Sequence, residues 1–277
     1  MIEDIVIIRG GGDIASGIVQ KLYRSGFKVL IAEVEKPTSI RRKVCFSEAI
    51  FDGYAIVEGI KSVLVKNIYE IKKAWSEGIV PVIIDPEGKY IDIIEPQIVI
   101  DSIIAKKNLG TSMNMAPMTI AVGPGFEAGK DVDIVVETMR GHNLGRLIFS
   151  GMAMNNTGVP GKIAGYAKER VIHSPAGGII ENVKEIADIV KAGEVIAYVN
   201  GIEVKATIDG VLRGIIRNGS KISKGLKIAD IDPRIEEKQN CYTISDKARS
   251  IGGAVLEAVL YLKATKTKIF REMTKVV

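Results

Sequence analysis

The residues that stand out for chemistry are Gly10, Gly11, Gly12, Asp13 and Ala15, which follow the apolar run Ile5-Val-Ile-Ile8 and Arg9. In a βαβ unit this spacing gives each small residue a job. Gly10 makes the tight turn, Gly12 lets the backbone approach a pyrophosphate, and Ala15 in the third position lets the next helix pack close to the strand. That helix's N-terminus offers unpaired N–H groups and partial positive charge to phosphate. Glu33 closes the next apolar run, about 20 residues beyond the glycines, where a ribose-binding carboxylate belongs. An acid there favours free 2′-hydroxyls, hence NAD or another dinucleotide over NADP. Asp13 works against this, because a carboxylate beside a pyrophosphate repels it. The same glycines serve equally well to turn a parallel strand into its helix with no ligand at all.

Two further segments carry polar chemistry. Gly123-Pro-Gly-Phe-Glu-Ala-Gly-Lys130 resembles a phosphate loop but fails its test, with Pro124 and Asp131 where glycine and Ser or Thr are required. Gly123 and Gly125 remain as a loop leaving a buried strand, at the sheet edge where ligands bind in open α/β folds. They are expected to face the Gly10–Gly12 turn across one crevice. Glu137-Thr-Met-Arg-Gly-His-Asn-Leu-Gly-Arg146 is the densest polar constellation. His142 is its candidate general acid or base, and Arg140 and Arg146 are candidates for holding an anion bidentately. The alternative has Glu137 pairing with an arginine and His142 ending a strand. Arg41 and Arg42, just after Pro37, could clamp phosphate, but such a charge run reads first as a solvated loop. Asn155 to Gly161 reads as a turn cluster at a domain junction.

The elements that must position these residues follow from periodicity. Up to about residue 165, nearly continuous Val/Ile runs alternate with helical spacing, the pattern of a parallel sheet covered on both faces. From Ile172 to Ile231 short β runs alternate with glycine, and the chain repeats itself at a period of about 32 residues. Ser174–Ile180 matches Ala206–Leu212, and Lys191–Val195 matches Ser223–Lys227. Two such halves look like the barrel-sandwich of biotinyl and lipoyl carriers. Asn200-Gly201 predicts a type I′ hairpin turn with no lysine at its tip; Lys205 lies on the outgoing strand. Ser245 is a candidate N-cap for a helix to Lys263, and the pair Gly252-Gly253 predicts a close backbone approach to the first domain.

The expected fold class is therefore α/β: a Rossmann-like parallel-sheet domain over 1–165, an all-β barrel-sandwich domain over 166–235 without a carrier lysine, and a C-terminal helix with a basic tail over 236–277. The 277 residues suffice for about two domains. A net charge of +5 from interspersed charges is no nucleic-acid footprint, and the basic tail from Lys263 to Lys275 reads as a solvated face. No apolar run reaches the roughly 18 residues of a membrane span, and no signal-peptide pattern opens the chain. A cytoplasmic location is the expectation. Cys45 and Cys241 are too far apart and too isolated to suggest a disulfide framework or a zinc site.

Several segments together resemble the YqeB family: Ile8–Gly17, Glu35-Lys-Pro-Thr38 before Arg41-Arg42, Gly123–Phe126, Glu137–His142, Asn156–Gly161 and Gly225–Arg234. The likeness runs over essentially the whole chain. It implies an accessory or maturation role for a selenium-dependent molybdenum hydroxylase, an enzyme of the xanthine dehydrogenase type, as partner. It carries over no catalytic residues. The functional expectation is an accessory protein that binds a nucleotide or dinucleotide, a molybdopterin dinucleotide among the candidates, at Gly10–Gly12 and the Gly123–Gly125 loop. The rivals are an NAD-dependent oxidoreductase using His142, and a non-catalytic interaction scaffold with both glycine loops empty.

Overall fold

The structure, a computed structural model, describes residues 4–156, 158 and 161–273, the last seven of these by their backbone alone. Apolar runs form β1 (Ile5–Arg9), β2 (Lys28–Glu33), β3 (Tyr54–Val57), β4 (Ile60–Val65), β5 (Val80–Ile84), β6 (Ile98–Asp101) and β7 (Met118–Val122). Short strands follow: β8 (Glu127–Ala128), β9 (Ile134–Val136), β10 (Leu147–Ile148) and β11 (Gly151–Met152). One nine-stranded sheet results, in the order β10-β9-β7-β6-β1-β2-β5-β4-β3. Its centre is parallel, while β3 and β10 run antiparallel at the two edges.

Helices α1 (Asp13–Arg24), α2 (Ala49–Asp52), α3 (Ile68–Ser76), α4 (Lys89–Ile94) and α5 (Asp246–Met273) cover this sheet unevenly. On one face α1 and α5 bury Val6, Ile8, Ile18, Ile100, Ile120 and Val255 in a single core. On the other, α3 and α4 lie over Ile7, Leu30 and Val99. Each fully buried aliphatic side chain of this kind contributes roughly 1.5–3 kcal/mol. Among the described residues the chain supplies no α-helix between β6 and α5. The small pair β8–β11 shields Ala121 and Val135 in place of a crossover helix.

The remaining strands are β12 (Val171–His173), β13 (Gly178–Asn182), β14 (Ile189–Val190), β15 (Val195–Val199), β16 (Ile202–Lys205), β17 (Gly210–Ile215), β18 (Lys221–Ile222) and β19 (Lys227–Asp232). They make two antiparallel sheets, β12-β19-β17-β14 and β16-β15-β13-β18, around a core of Ile180, Val190, Leu212 and Ile222. The sequence repeat has a backbone counterpart. Gly178 and Gly210 share φ near +155° (+154° and +157°), and Gly193 and Gly225 are both left-handed (+84° and +80°). Equivalent hydrogen bonds run from Ala187 N–H to the Leu212 carbonyl and from Gly219 N–H to the Ile180 carbonyl. Asn200 and Gly201 take positive φ, as the hairpin turn requires.

This architecture corrects the expected fold class. The large sheet is mixed, not a Rossmann-like parallel one: β3 and β10 run antiparallel at its edges, and among the described residues of 102–165 there is no α-helix to wind a second βαβ half. The β-rich part is not a carrier-like barrel-sandwich module strung behind the first domain. It is built against it: a Cβ on Gly214 would stand 2.9 Å from the Ile40 carbonyl oxygen, and Arg42 donates to the Ile215 carbonyl. Nor is the C-terminal helix an appendage, since Ala248, Ile251, Val255 and Val259 belong to the main core. Ser245 caps it as expected, accepting from Ala248 N–H at 3.1 Å. In the basic tail Lys263 pairs with Asp4 and Lys266 with Asp133, while the later side chains, and residues 157, 159 and 160 of the turn cluster, lie outside the described residues. Among the described residues no helix is long and apolar enough to cross a membrane.

Candidate functional site

The parallel strands end along one edge of the sheet, and four of them end on or beside an acid: Glu33, Asp85, Asp101 and Glu137. All four carboxylates hold the loop that follows or crosses them. Asp85 accepts from Gly88, Lys89 and Tyr90 N–H groups. Asp101 accepts from Ile103 N–H and the Thr111 hydroxyl, with buried Arg9 3.8 Å away. Glu137 accepts from Thr138, Met139 and Met154 N–H groups; among the described residues it pairs with no arginine. Such charge-assisted bonds fix loop geometry and leave no free carboxylate for proton transfer at those three positions.

Glu33 differs in where its carboxylate lies. Its Oε2 accepts from Gly11 N–H at 2.7 Å, and its Oε1 from Val34 N–H at 2.8 Å. The acid is thereby held on the glycine turn, and burial pushes its pKa up despite these two bonds. Each oxygen keeps a second acceptor position.

The glycines themselves answer first to the protein's own backbone. Gly10 has φ +92°, and a Cβ there would meet the Ser102 carbonyl oxygen and Ile103 Cα at 3.0 Å. Gly11 is pressed by Ser47, whose N–H donates to the Gly11 carbonyl. Gly12 alone looks onto space, with only the Ser39 hydroxyl within 4 Å of a would-be Cβ. It is the N-cap of α1, with no side-chain cap for the first turn. Ala15 is fully buried, as close helix–strand packing demands.

Residues 39–48 form the other wall of this recess. The Ser39 and Ser47 hydroxyls lie 2.8 Å apart. Arg41, expected in a solvated loop, is 6% exposed. One terminal nitrogen donates to the Asn240 and Thr243 carbonyls. Its Nη1 sits 3.6 Å from Asp13, and Nη1 and Nε have no hydrogen-bond partner. Burial lowers its pKa, with Arg213 adding repulsion and Asp13 opposing it. Lys247, in the first turn of α5, is also lowered by burial and then by Arg140, with Asp13 and Glu137 pulling the other way. Asp13 thus has the Arg41 guanidinium beside it, which offsets part of the repulsion it would offer a phosphate.

The other expected site residues are not brought here. Gly123 (φ +83°) packs on Thr138 and Gly125 (φ +109°) on Lys107 backbone. The segment 102–107 therefore fills the crevice between the two glycine loops, and they do not face each other. Arg140 is a bidentate partner of Asp246 at 2.7 and 2.8 Å, so its fork is already occupied. His142 and Arg146 are exposed and line a shallow depression of about 520 Å³ with Leu144, Phe149, Glu257 and Tyr261, alongside α5. Among the described residues no group of three or more His, Cys, Asp or Glu could hold a metal ion. Sequence reasoning missed Ser39, Ser47 and Lys247 and set Arg41 aside. The available signal was the non-periodic Pro37–Arg42 stretch directly after the β2 acid.

No protein-family model matches the chain. Over 274 residues, 99% of its length, it is 48% identical to the uncharacterized protein YqeB of Escherichia coli K12. The likeness to YqeB extends over essentially the whole of this chain. It spans about half the length of this curated relative, 50%. Solved structures similar to it include the ectoine utilization protein EutE (DoeB) of Ruegeria pomeroyi, at 12% identity over 83% of this chain and 85% of that one, with a TM-score of 0.25. An aspartoacylase family protein of Mesorhizobium loti gives 11% identity, 83% and 84% coverage, and 0.25. A succinylglutamate desuccinylase/aspartoacylase of Rhodobacter sphaeroides gives 12%, 83% and 85%, and 0.27. Likenesses at such TM-scores carry no argument about this chain's chemistry.

Proposed function

We propose that this YqeB-like chain is an accessory protein that binds a nucleotide-bearing cofactor at the Gly10–Asp13 turn, in the service of a selenium-dependent molybdenum hydroxylase. The hydroxylase partner rests on the family resemblance; the ligand class rests on the site. The observation that carries it is the placement of the Glu33 carboxylate on Gly11, next to the uncapped first turn of α1. A sugar-hydroxyl acceptor and a phosphate-binding helix end then stand side by side, which is what a nucleotide offers in sequence along its own chain. NAD or another dinucleotide, a molybdopterin dinucleotide included, fits that order of groups. His142, exposed beside Tyr261, adds nothing to this recess, so the reading is one of binding and delivery.

Isothermal titration with a panel of mono- and dinucleotides tests it. One member should bind saturably, and Gly12→Val, which fills the open side of the turn, should weaken it at least tenfold. No binding by any nucleotide, or unchanged affinity in the variant, overturns the proposal.

A further inference from the structure

The order of the large sheet reverses between β1 and β6: β2 lies beyond β1 on one side, and β7 and β9 lie beyond β6 on the other. That reversal leaves a crevice outside the carboxyl ends of two parallel neighbours, the usual seat of a ligand in an open α/β sheet. Here residues 102–107 occupy it. A Cβ on Gly10 would meet the Ser102 and Ile103 backbone at 3.0 Å, and one on Gly125 would meet the Lys107 backbone at 2.7 Å. The segment is wedged between the two glycine loops.

Little beyond packing keeps it there. Ser102 N–H donates to the Arg9 carbonyl at 2.9 Å, and Ile103 N–H to Asp101 at 3.1 Å. Among the described residues the backbone groups of 104–107 make no hydrogen bond. The Ser102 hydroxyl is buried and has no hydrogen-bond partner either. The backbone is also strained. Ile104 (φ +59°) and Lys106 (φ +63°) are left-handed, and among the described residues Ile104 is the one β-branched side chain so placed, a conformation its Cβ resists. Such a residue persists only where its surroundings compel it; Ile104 is pressed, half-buried, against the main core. Both ends of the segment are fastened. Asp101 accepts from the Thr111 hydroxyl at 2.6 Å, and the Asn108 side chain accepts from Gly110 and Thr111 N–H groups and donates to the Thr111 carbonyl.

We infer that residues 102–107 are a displaceable strap over the β1–β6 crevice, which swings out between its two fastened ends while the sheet stays folded. Opening breaks two backbone bonds, relieves two left-handed residues and lifts one half-buried isoleucine off the core. On the nucleotide reading, on which this clause alone rests, the vacated space takes the part of a dinucleotide beyond the pyrophosphate.

Thiol labelling of the full chain tests the strap. Ser102→Cys places a thiol at a position 3% exposed, where the native hydroxyl has no bond to lose, against a background of two buried native thiols. The new thiol should react at least tenfold faster than either native one, at a rate insensitive to low denaturant, the mark of local opening. Lys106→Asn in that background should slow labelling about threefold or more, because asparagine tolerates left-handed backbone. The exposed control Lys89→Met should leave the rate unchanged. Labelling no faster than that of the native thiols, or unmoved by Lys106→Asn, overturns the strap. The unsubstituted chain supplies a second reading that needs no variant to fold: trypsin should cut after Lys106 or Lys107 before it cuts within β1 to β7, and the reverse order overturns the strap as well. Any panel nucleotide that binds should hasten the cut after Lys107; unchanged or slower cutting with the nucleotide bound overturns entry by displacement and leaves the nucleotide reading standing. Binding by no nucleotide ends that reading, and the strap then stands or falls on its labelling.

Discussion

A Cβ on Gly252 would stand 2.4 Å from the carbonyl oxygen of Gly17. Helices α1 and α5 therefore cross backbone to backbone at this point, and the reciprocal clash, Gly17 against the Ala248 carbonyl at 2.3 Å, locks the crossing from both sides. This contact sets the depth at which the C-terminal helix sits.

Neighbouring glycines of α5 should consequently respond with opposite signs. Gly252→Ala must push the helices apart, and we expect a loss of about 1–3 kcal/mol, the usual cost of overpacking. Gly253 has nothing within 4 Å of a would-be Cβ, so Gly253→Ala should gain up to about 1 kcal/mol from helix propensity alone. Thermal unfolding of the two single variants checks both; two losses would mean the crossing is misplaced.

The Arg140–Asp246 pair at the start of α5 should give stability a signature in acid. The bidentate guanidinium holds the Asp246 carboxyl far below its ordinary value of 3.8. A carboxylate lowered by folding contributes stability that is complete above the unfolded value and lost as pH falls through the folded one. Asp246→Asn should therefore cost about 0.5–1 kcal/mol at pH 7 for this partly exposed pair. The gap between variant and parent should narrow steadily below about pH 4. Denaturant melts at a series of pH values read this directly, and a gap independent of pH would discard it.

Docking of the β-rich part should depend on Arg217. It bonds Glu48 at 2.8 Å and Asp52 at 3.1 Å and lies 4.6 Å over the Phe51 ring. Glu48 is buried, and burial raises its pKa, so removing its partner strands a carboxylate. Arg217→Ala should cost about 2 kcal/mol, with part recovered in the Arg217→Ala/Glu48→Gln double variant. Hydrogen exchange over residues 39–52 should accelerate; unchanged protection there would show that the ion pairs do not hold the seam.

Both thiols should be inert in the native state. Cys45 and Cys241 are free and buried, and burial pushes both thiol pKa values up, that of Cys45 strongly. Little thiolate forms at pH 8. A thiol-disulfide reagent should label neither until denaturant is added, then both; fast labelling of one in the native protein would place it at an opening seam.

The sequence by itself determined the first βαβ unit and the alternation of apolar runs with helical spacing that follows it, the 32-residue repeat of the β-rich part, the Asn200-Gly201 turn and the Ser245 cap. These are local: they depend on periodicity, turn chemistry and capping within a few residues. It also marked Gly10, Gly12 and Glu33 as belonging together, because the βαβ unit is short-range. Tertiary structure decided the rest. A Val/Ile run has the same pattern in a parallel or a mixed sheet, so β3 and β10 at the edges were not legible, and neither was the missing second half of helical crossovers. Gly10 and Gly125 have their rigid requirement from backbone that arrives from elsewhere, Ser102–Ile103 and Lys107 respectively. Arg41 reads as a surface charge beside Pro37, and it is buried because the segment before α5 closes over it and takes its Nη2 on two carbonyls. Burial, and hence the charge chemistry of a site, is a property of everything that packs around a residue, and no window of sequence contains that.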